Sequence, residues 1–351
     1  MSFAQILDKL DKLEKDKLET KIPSWAGLDI RVPRTVNFQQ CSGETAARYK
    51  ASLVAPGLRV ADLTGGLGVD AWAFSLRSQA LWYNERDSVL LEAVQHNFAV
   101  LGVRNAVFNN FDISPRSQGW TDSLKAFAPD VIYLDPARRD SAGRKVFLLE
   151  DCSPDVLQLM PSLLDTAPLV MVKVSPMADI TMLRRRLDGF LSGLHVVGAE
   201  GECKELLCLC RRESGFGGIV LSEDGRVFSP AVPPAGQLLF VPSAAMVKSG
   251  LGPGMCLAGY TEGLRGFGRY YQVVENLPFA SSAIRDLGRR CPQADVTARG
   301  VPLSSEQLRS KMKTKPGGPV HIFACVLGGE RRLLVCEQVL APEQVVVHPV
   351  V

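Results

Sequence analysis

Apolar and polar positions follow two rhythms along the chain. Over residues 2–20, Phe3, Ile6, Leu7, Leu10, Leu13 and Leu18 recur at near-helical spacing with charged residues between them. That pattern predicts a helix, which Ile22-Pro23 ends. A second short helix is expected over 41–50, with Ser42 as its N-cap. From residue 58 short apolar runs alternate with helical stretches. Strands are expected at 58–63, 80–83, 106–108, 131–134, 169–174, 195–197 and 205–210, with helices at 70–76, 88–101, 152–164 and 180–191. Such alternation predicts an α/β fold, a doubly wound sheet of parallel strands.

After Arg212 the alternation stops. Residues 213–218, Glu-Ser-Gly-Phe-Gly-Gly, read as a linker, because no helical pattern follows to supply a phosphate-binding helix start. The expected organisation is an N-terminal helical segment (1–52), an α/β domain (53–214) and two accessory regions. The first, 219–280, reads as short antiparallel strands. The second, 281–351, reads as a small mixed domain whose final hairpin pairs 321–327 with 332–337 around Gly328-Gly329-Glu330-Arg331.

The 351 residues are 46% hydrophobic, ordinary for a globular chain, and no apolar run approaches a membrane helix. The first residues lack an apolar leader core, which predicts a cytoplasmic protein. The nine cysteines include no C-x-x-C and the four histidines lie far apart, so neither a metal site nor a disulfide framework is expected. Cys208 and Cys210 share one face of a strand and read as small buried hydrophobes. The net charge of +3 is modest, but residues 281–316 alone carry Arg285, Arg289, Arg290, Arg299, Arg309, Lys311, Lys313 and Lys315 against Asp286, Asp295 and Glu306. That local excess fits phosphate contacts or, equally well, a solvated basic face.

The candidate chemistry sits at strand ends. Asp62-Leu63-Thr64-Gly65-Gly66-Leu67-Gly68 joins the first strand to a helix beginning near Asp70. Glycine permits positive φ there and lets a ligand approach the backbone. Gly66-Leu67-Gly68-Val69-Asp70-Ala71 also fits the dinucleotide pattern G-x-G-x-x-A. Asp62 argues against a dinucleotide, since a carboxylate at the turn repels a pyrophosphate but suits the sulfonium and ammonium of S-adenosylmethionine. Glu85 closes the second strand about 20 residues after the loop, where a ribose acceptor is expected. Asp112 follows the third strand and could accept from an adenine amine. Thr64, Gly65, Gly66, Gly68 and Asp70 complete the expected cofactor set. At the end of the fourth strand, Asp135-Pro136-Ala137-Arg138-Arg139 places Asp135 and the Pro136 carbonyl as rigid acceptors that could orient an amine or ring nitrogen, with Arg138 available to a phosphate. Lys173-Val174-Ser175-Pro176 closes the fifth strand with no assigned role.

Together with Gln40-Cys41-Ser42-Gly43-Glu44-Thr45-Ala46 and Tyr49-Lys50-Ala51, these motifs resemble the bacterial class I methyltransferases that carry a C-terminal THUMP-like domain. The glycine loop is common to many methyltransferases, whereas Asp-Pro-Ala-Arg-Arg is far narrower. The resemblance implies a Rossmann-like catalytic domain, a small ferredoxin-like insert near 238–280, a THUMP-like end, S-adenosyl-L-methionine as cofactor and RNA (tRNA or rRNA) as partner. Asp135, Pro136 and Arg138 would then serve the acceptor. Enzymes acting on exocyclic amines usually place Pro-Pro and an aromatic residue after the strand-end acid, where Ala137 and Arg138 stand here. No cysteine nucleophile follows the fifth strand, so direct displacement is expected. A small-molecule or protein acceptor, or a non-catalytic RNA binder, remains open at this stage.

Overall fold

A computed structural model describes residues 17–117, 119–137, 149, 152–230 and 233–339. They fall into two compact units that divide between Val227 and Phe228.

The first unit is built on β1 (Arg59–Asp62), β2 (Ala80–Asn84), β3 (Ala106–Asn109), β4 (Val131–Leu134), β5 (Leu169–Val174), β6 (Leu191–Ala199), β7 (Glu202–Cys210), β8 (Ile219–Glu223) and β9 (Arg226–Val227). These pair in the order β3-β2-β1-β4-β5-β7-β6-β8-β9. β1 to β5 run parallel, while β7 runs antiparallel to both β5 and β6. β4 is buried throughout, as its unbroken Val-Ile-Tyr-Leu run requires of a strand covered on both faces. Strand order reverses between β1 and β4, and a cleft opens outside the carboxyl ends at such a point. Register sets Asp62 level with Tyr83 on one side and Tyr133 on the other, so three strand ends share one rim.

Helices Val69–Ser75, Ser88–Val100 and Val156–Thr166 follow the expected pattern, Ile180–Arg186 stops short of the expected end at Leu191, which instead opens β6, and Trp120–Phe127 adds one that the apolar spacing did not signal. The expected helix over 2–20 lies largely outside the described residues; 17–21 are helical. Residues after it pack into the same core: Ile22 and Trp25 are fully buried, and Trp25 meets Trp72 edge-on at 5.8 Å. Helix Glu44–Ser52 has Gly43 rather than Ser42 at its N-cap, and the Ser42 hydroxyl is engaged elsewhere, with Asp70 and Lys50.

That helix is fastened to the sheet by the Tyr49 hydroxyl, 2.7 Å from His195 Nδ1 on β6. Burial lowers the His195 pKa to about 4. The unfolded chain takes up a proton near pH 6.5 that the folded chain refuses. Stability is therefore expected to be full above pH 6.5 and to fall by about 3 kcal/mol as pH drops to 4. Urea unfolding of wild type and His195→Gln across that range checks this: the substitution should remove most of the slope.

In the second unit β10 (Leu238–Pro242), β11 (Cys256–Ala258), β12 (Gly268–Pro278), β13 (Asp295–Ala298), β14 (Val320–Leu327) and β15 (Glu330–Val339) form one sheet in the order β11-β10-β12-β15-β14-β13. Two expected boundaries are thus corrected. Residues 219–227 belong to the first sheet, where β8 pairs with β6 and satisfies its free edge. Regions 238–280 and 281–339 are not separate sheets, because β12 pairs along its length with β15. Held apart, each would expose that row of backbone donors and acceptors. The final hairpin turns on Gly328 and Gly329 alone, both at positive φ, as a two-residue primed turn requires. No helix among the described residues is long and apolar enough to cross a membrane.

Candidate active site

The glycine turn is held by its neighbours' side chains. Thr64 N donates to Asp62 Oδ1 at 3.0 Å, Gly66 N to Glu85 Oε2 at 2.9 Å, and the Tyr83 hydroxyl to the Gly66 carbonyl at 2.6 Å. Gly65 has no room for a side chain: a Cβ there would lie 2.0 Å from Tyr83 Cε2. Gly68 adopts φ +84°, and its Cβ would meet Phe98 at 2.9 Å. The glycines thus let the chain turn tightly while the carboxylates stay at the rim. Buried Asn84 ties three loops together, donating to the Leu63 and Phe111 carbonyls and accepting from Phe111 N.

A cavity of about 490 Å³ opens over this rim. Asp62, Thr64, Gly65, Gly66, Gly68, Asp70, Glu85, Asp112, Asp135 and Pro136 all line it. Arg138 lies outside the described residues. Asp62 is 1% exposed, and its Oδ2 has no hydrogen-bond partner among the described residues. Burial, reinforced by Asp70, Asp135 and Glu85, pushes its carboxyl well above the usual range. A cation entering the cavity would relieve all of these at once, so the donor set fits a ligand with a positive centre. Exposed Asp112 accepts from the Ser117 hydroxyl at 3.4 Å.

Beyond the turn, the cavity wall is a chain of alternating charge. Asp70 is committed to it: Lys50 Nζ lies 3.0 Å away, and the Ser42 and Tyr133 hydroxyls both donate to its Oδ2 at 2.8 Å. Burial opposes its ionisation, but Lys50 and Lys173 hold its pKa below the usual value. Lys50, with no exposed side-chain surface, also donates to Glu205 Oε1 at 2.6 Å. Glu205 Oε2 lies 3.9 Å from Lys173 Nζ, which donates to Asp135 Oδ2 at 2.5 Å. Burial disfavours the Lys173 charge, yet Asp135, Glu205 and Asp70 outweigh it and raise its pKa. Asp135 N donates to Thr64 Oγ1 at 2.6 Å, and Ala137 pairs with Ser153 through two backbone bonds, so the Asp-Pro-Ala segment is fixed at both ends.

Comparison with known proteins agrees with this geometry. Two uncharacterized S-adenosylmethionine-dependent methyltransferases of Mycobacterium tuberculosis, from strains CDC 1551 and H37Rv, are each 26% identical over 322 residues, covering 83% of this chain and 83% of theirs. A crystal structure described as a methyltransferase of Porphyromonas gingivalis W83 superposes with a TM-score of 0.75 at 27% identity, covering 92% of this chain and 88% of that one. With these likenesses the chain is an S-adenosylmethionine-dependent methyltransferase. The THUMP domain-like family model matches residues 268–338 of this methyltransferase, the stretch from β12 to β15.

Sequence reasoning gave Lys50, Glu205 and Lys173 of this methyltransferase no task. Glu205 did carry a signal, an acid heading the apolar run Leu206-Leu207-Cys208-Leu209-Cys210. Lys50 entered only within the Tyr49-Lys50-Ala51 stretch that carries the resemblance, and its chemistry was hidden because it sits among Glu44 and Arg48 on what looks like a solvated helix face.

Proposed function

We propose that this methyltransferase transfers a methyl group from S-adenosylmethionine to RNA. The observation that carries the cofactor reading is Asp62, a buried carboxyl with one unpartnered oxygen in the wall of the cavity. It would face the cofactor's positive end, while Glu85 would accept from the ribose hydroxyls and Asp112 from the adenine amine. Bound there, the cofactor supplies an electrophilic methyl group on a sulfonium. Asp135, with Thr64 fixing its backbone, would orient the acceptor. The RNA reading is supported by the THUMP-like match, because THUMP domains bind RNA, and by the basic side chains between 281 and 316. All of these but the half-buried Arg309 are exposed, although Arg290 is shared between Glu275 and Asp286. Exposed cations give sequence-independent affinity for phosphates.

Calorimetry tests the carrying observation. Asp62→Asn is expected to weaken S-adenosylmethionine binding at least about thirtyfold, the cost of removing one partner of a buried charge pair. Wild-type affinity should also rise with pH, because cation binding expels the proton that the raised pKa retains; the Asn variant should lose that dependence. Equal affinity in the two proteins would reject the role given to Asp62. Supplying labelled cofactor with total RNA tests the acceptor class, and label found only in protein or small molecules would reject RNA.

A further inference from the structure

We infer that the methyl acceptor is a hydroxyl oxygen, the ribose 2′-hydroxyl of RNA, with Asp135 taking its proton and Lys173 holding the negative charge that develops on the oxygen. The inference rests on the RNA reading above and adds the acceptor atom.

The argument turns on the sign of the charge beside the acceptor. Lys173 Nζ sits 2.5 Å from Asp135 Oδ2 and 3.3 Å from Ser42 Oγ, and both lysine and aspartate line the cavity. An amine or ring nitrogen attacks as a neutral lone pair and becomes positive as the new bond forms. An ammonium group held next to it opposes that change. A hydroxyl behaves in the opposite way. It is a weak neutral nucleophile, must shed a proton, and gains negative charge on the way to the transition state. A carboxylate to receive the proton and a fixed cation to hold the oxygen are the two groups that such an acceptor needs.

The rest of the wall agrees. Glu205 behind Lys173, and Lys50 behind Glu205, keep the second lysine charged and in place. A base acceptor is commonly held on an aromatic or guanidinium platform. Among the described residues, the aromatic side chains lining the cavity are Phe111 and Tyr133. Phe111 is stacked on Trp82 with planes 8° apart, and the Tyr133 hydroxyl is spent on Asp70. Pro136 and Ala137 follow Asp135 with no aromatic ring to offer. Within an RNA strand, the hydroxyl each internal nucleotide presents is the 2′-hydroxyl.

In the step itself, the hydroxyl donates to the free oxygen of Asp135 while the Lys173 ammonium donates to the hydroxyl oxygen. The oxygen forms a bond to the methyl carbon as the carbon–sulfur bond breaks, and that electron pair leaves with sulfur. The hydroxyl proton ends on Asp135 and passes to water. The products are a ribose methyl ether and a neutral thioether.

The deciding experiment incubates the full-length protein with methyl-tritiated S-adenosylmethionine and total RNA from cells lacking its gene, followed by alkaline hydrolysis. A methylated 2′-oxygen blocks cleavage of the adjacent phosphodiester, so label is expected in alkali-stable dinucleotides. Label in mononucleotides, on a base nitrogen or carbon, overturns the hydroxyl assignment and leaves the RNA reading standing. No label in RNA overturns both. Lys173→Met is expected to lower kcat by about 10²–10³, with cofactor affinity and KM for RNA within threefold of wild type, and Lys173→Arg to recover part of the loss. Full activity in Lys173→Met overturns the lysine's role. The wild-type product assay decides the acceptor atom even if that variant fails to fold.

Discussion

Gly65→Ala is expected to abolish cofactor binding and to destabilise the first unit by about 3 kcal/mol, the upper range of overpacking. The added methyl would lie 2.0 Å from Tyr83 Cε2, 2.2 Å from Cζ and 2.6 Å from the hydroxyl oxygen. Tyr83 cannot give way. It is fully buried, and its ring is fenced by Phe98 and Phe108, each centred 5.7 Å away. The loop must move instead, and moving it breaks Gly65 N to the Asn84 carbonyl and Gly66 N to Glu85. Glu85 then loses the contact that aims it into the cavity. Calorimetry should show at least a hundredfold loss of affinity, since an ångström of displacement ruins several contacts together. Shrinking the neighbour in a Gly65→Ala/Tyr83→Ala double variant should cost less than the two single changes combined, because they compete for one volume. Wild-type affinity in Gly65→Ala would refute the turn as described.

Lys50→Met is expected to cost about 3–5 kcal/mol, because it leaves buried Asp70 and Glu205 without the cation between them. For a unit of this size that corresponds to a fall in Tm of roughly 10 °C. The effect has a pH signature. Without Lys50, burial is left to push the Asp70 carboxyl toward its protonated form, so the gap between variant and wild type should narrow as pH falls. Differential scanning calorimetry at pH 7.5 and 5 measures both. Transfer activity should also fall at temperatures where the variant is folded, since Glu205 and Lys173 lose their fixed positions. A variant as stable as wild type would mean that these acids are compensated by something other than this lysine.

Much of the α/β unit was legible because its signals are local. β1 to β5 each announce themselves as apolar runs, and the glycine turn needs only seven consecutive residues to be read. The charge chain was hidden because its members are brought together by the fold: Lys50 and Glu205 are 155 positions apart. In sequence, a lysine in a mixed helix looks the same whether it faces water or a buried pair of acids. Ser42 was read as a cap for a related reason, its hydroxyl having no visible rival partner until Asp70 arrives across the fold. The accessory boundary failed on edge pairing, since nothing local tells β12 that its neighbour will be β15.

The reversed direction of β7 has a consequence for chemistry. Residues that begin a parallel strand lie on the far edge of the sheet, remote from any ligand. Because β7 enters from the opposite side, its opening residues sit beside the end of β5, with Leu206 facing Val174. Glu205 is thereby delivered to Lys173. Slipping that pairing by one residue would point the carboxylate to the other face of the sheet. The irregularity between Val197 and Gly198, where β6 and β7 shift register, falls directly beside Glu205, which pairs with Val197, so the acid's placement is tied to that local register.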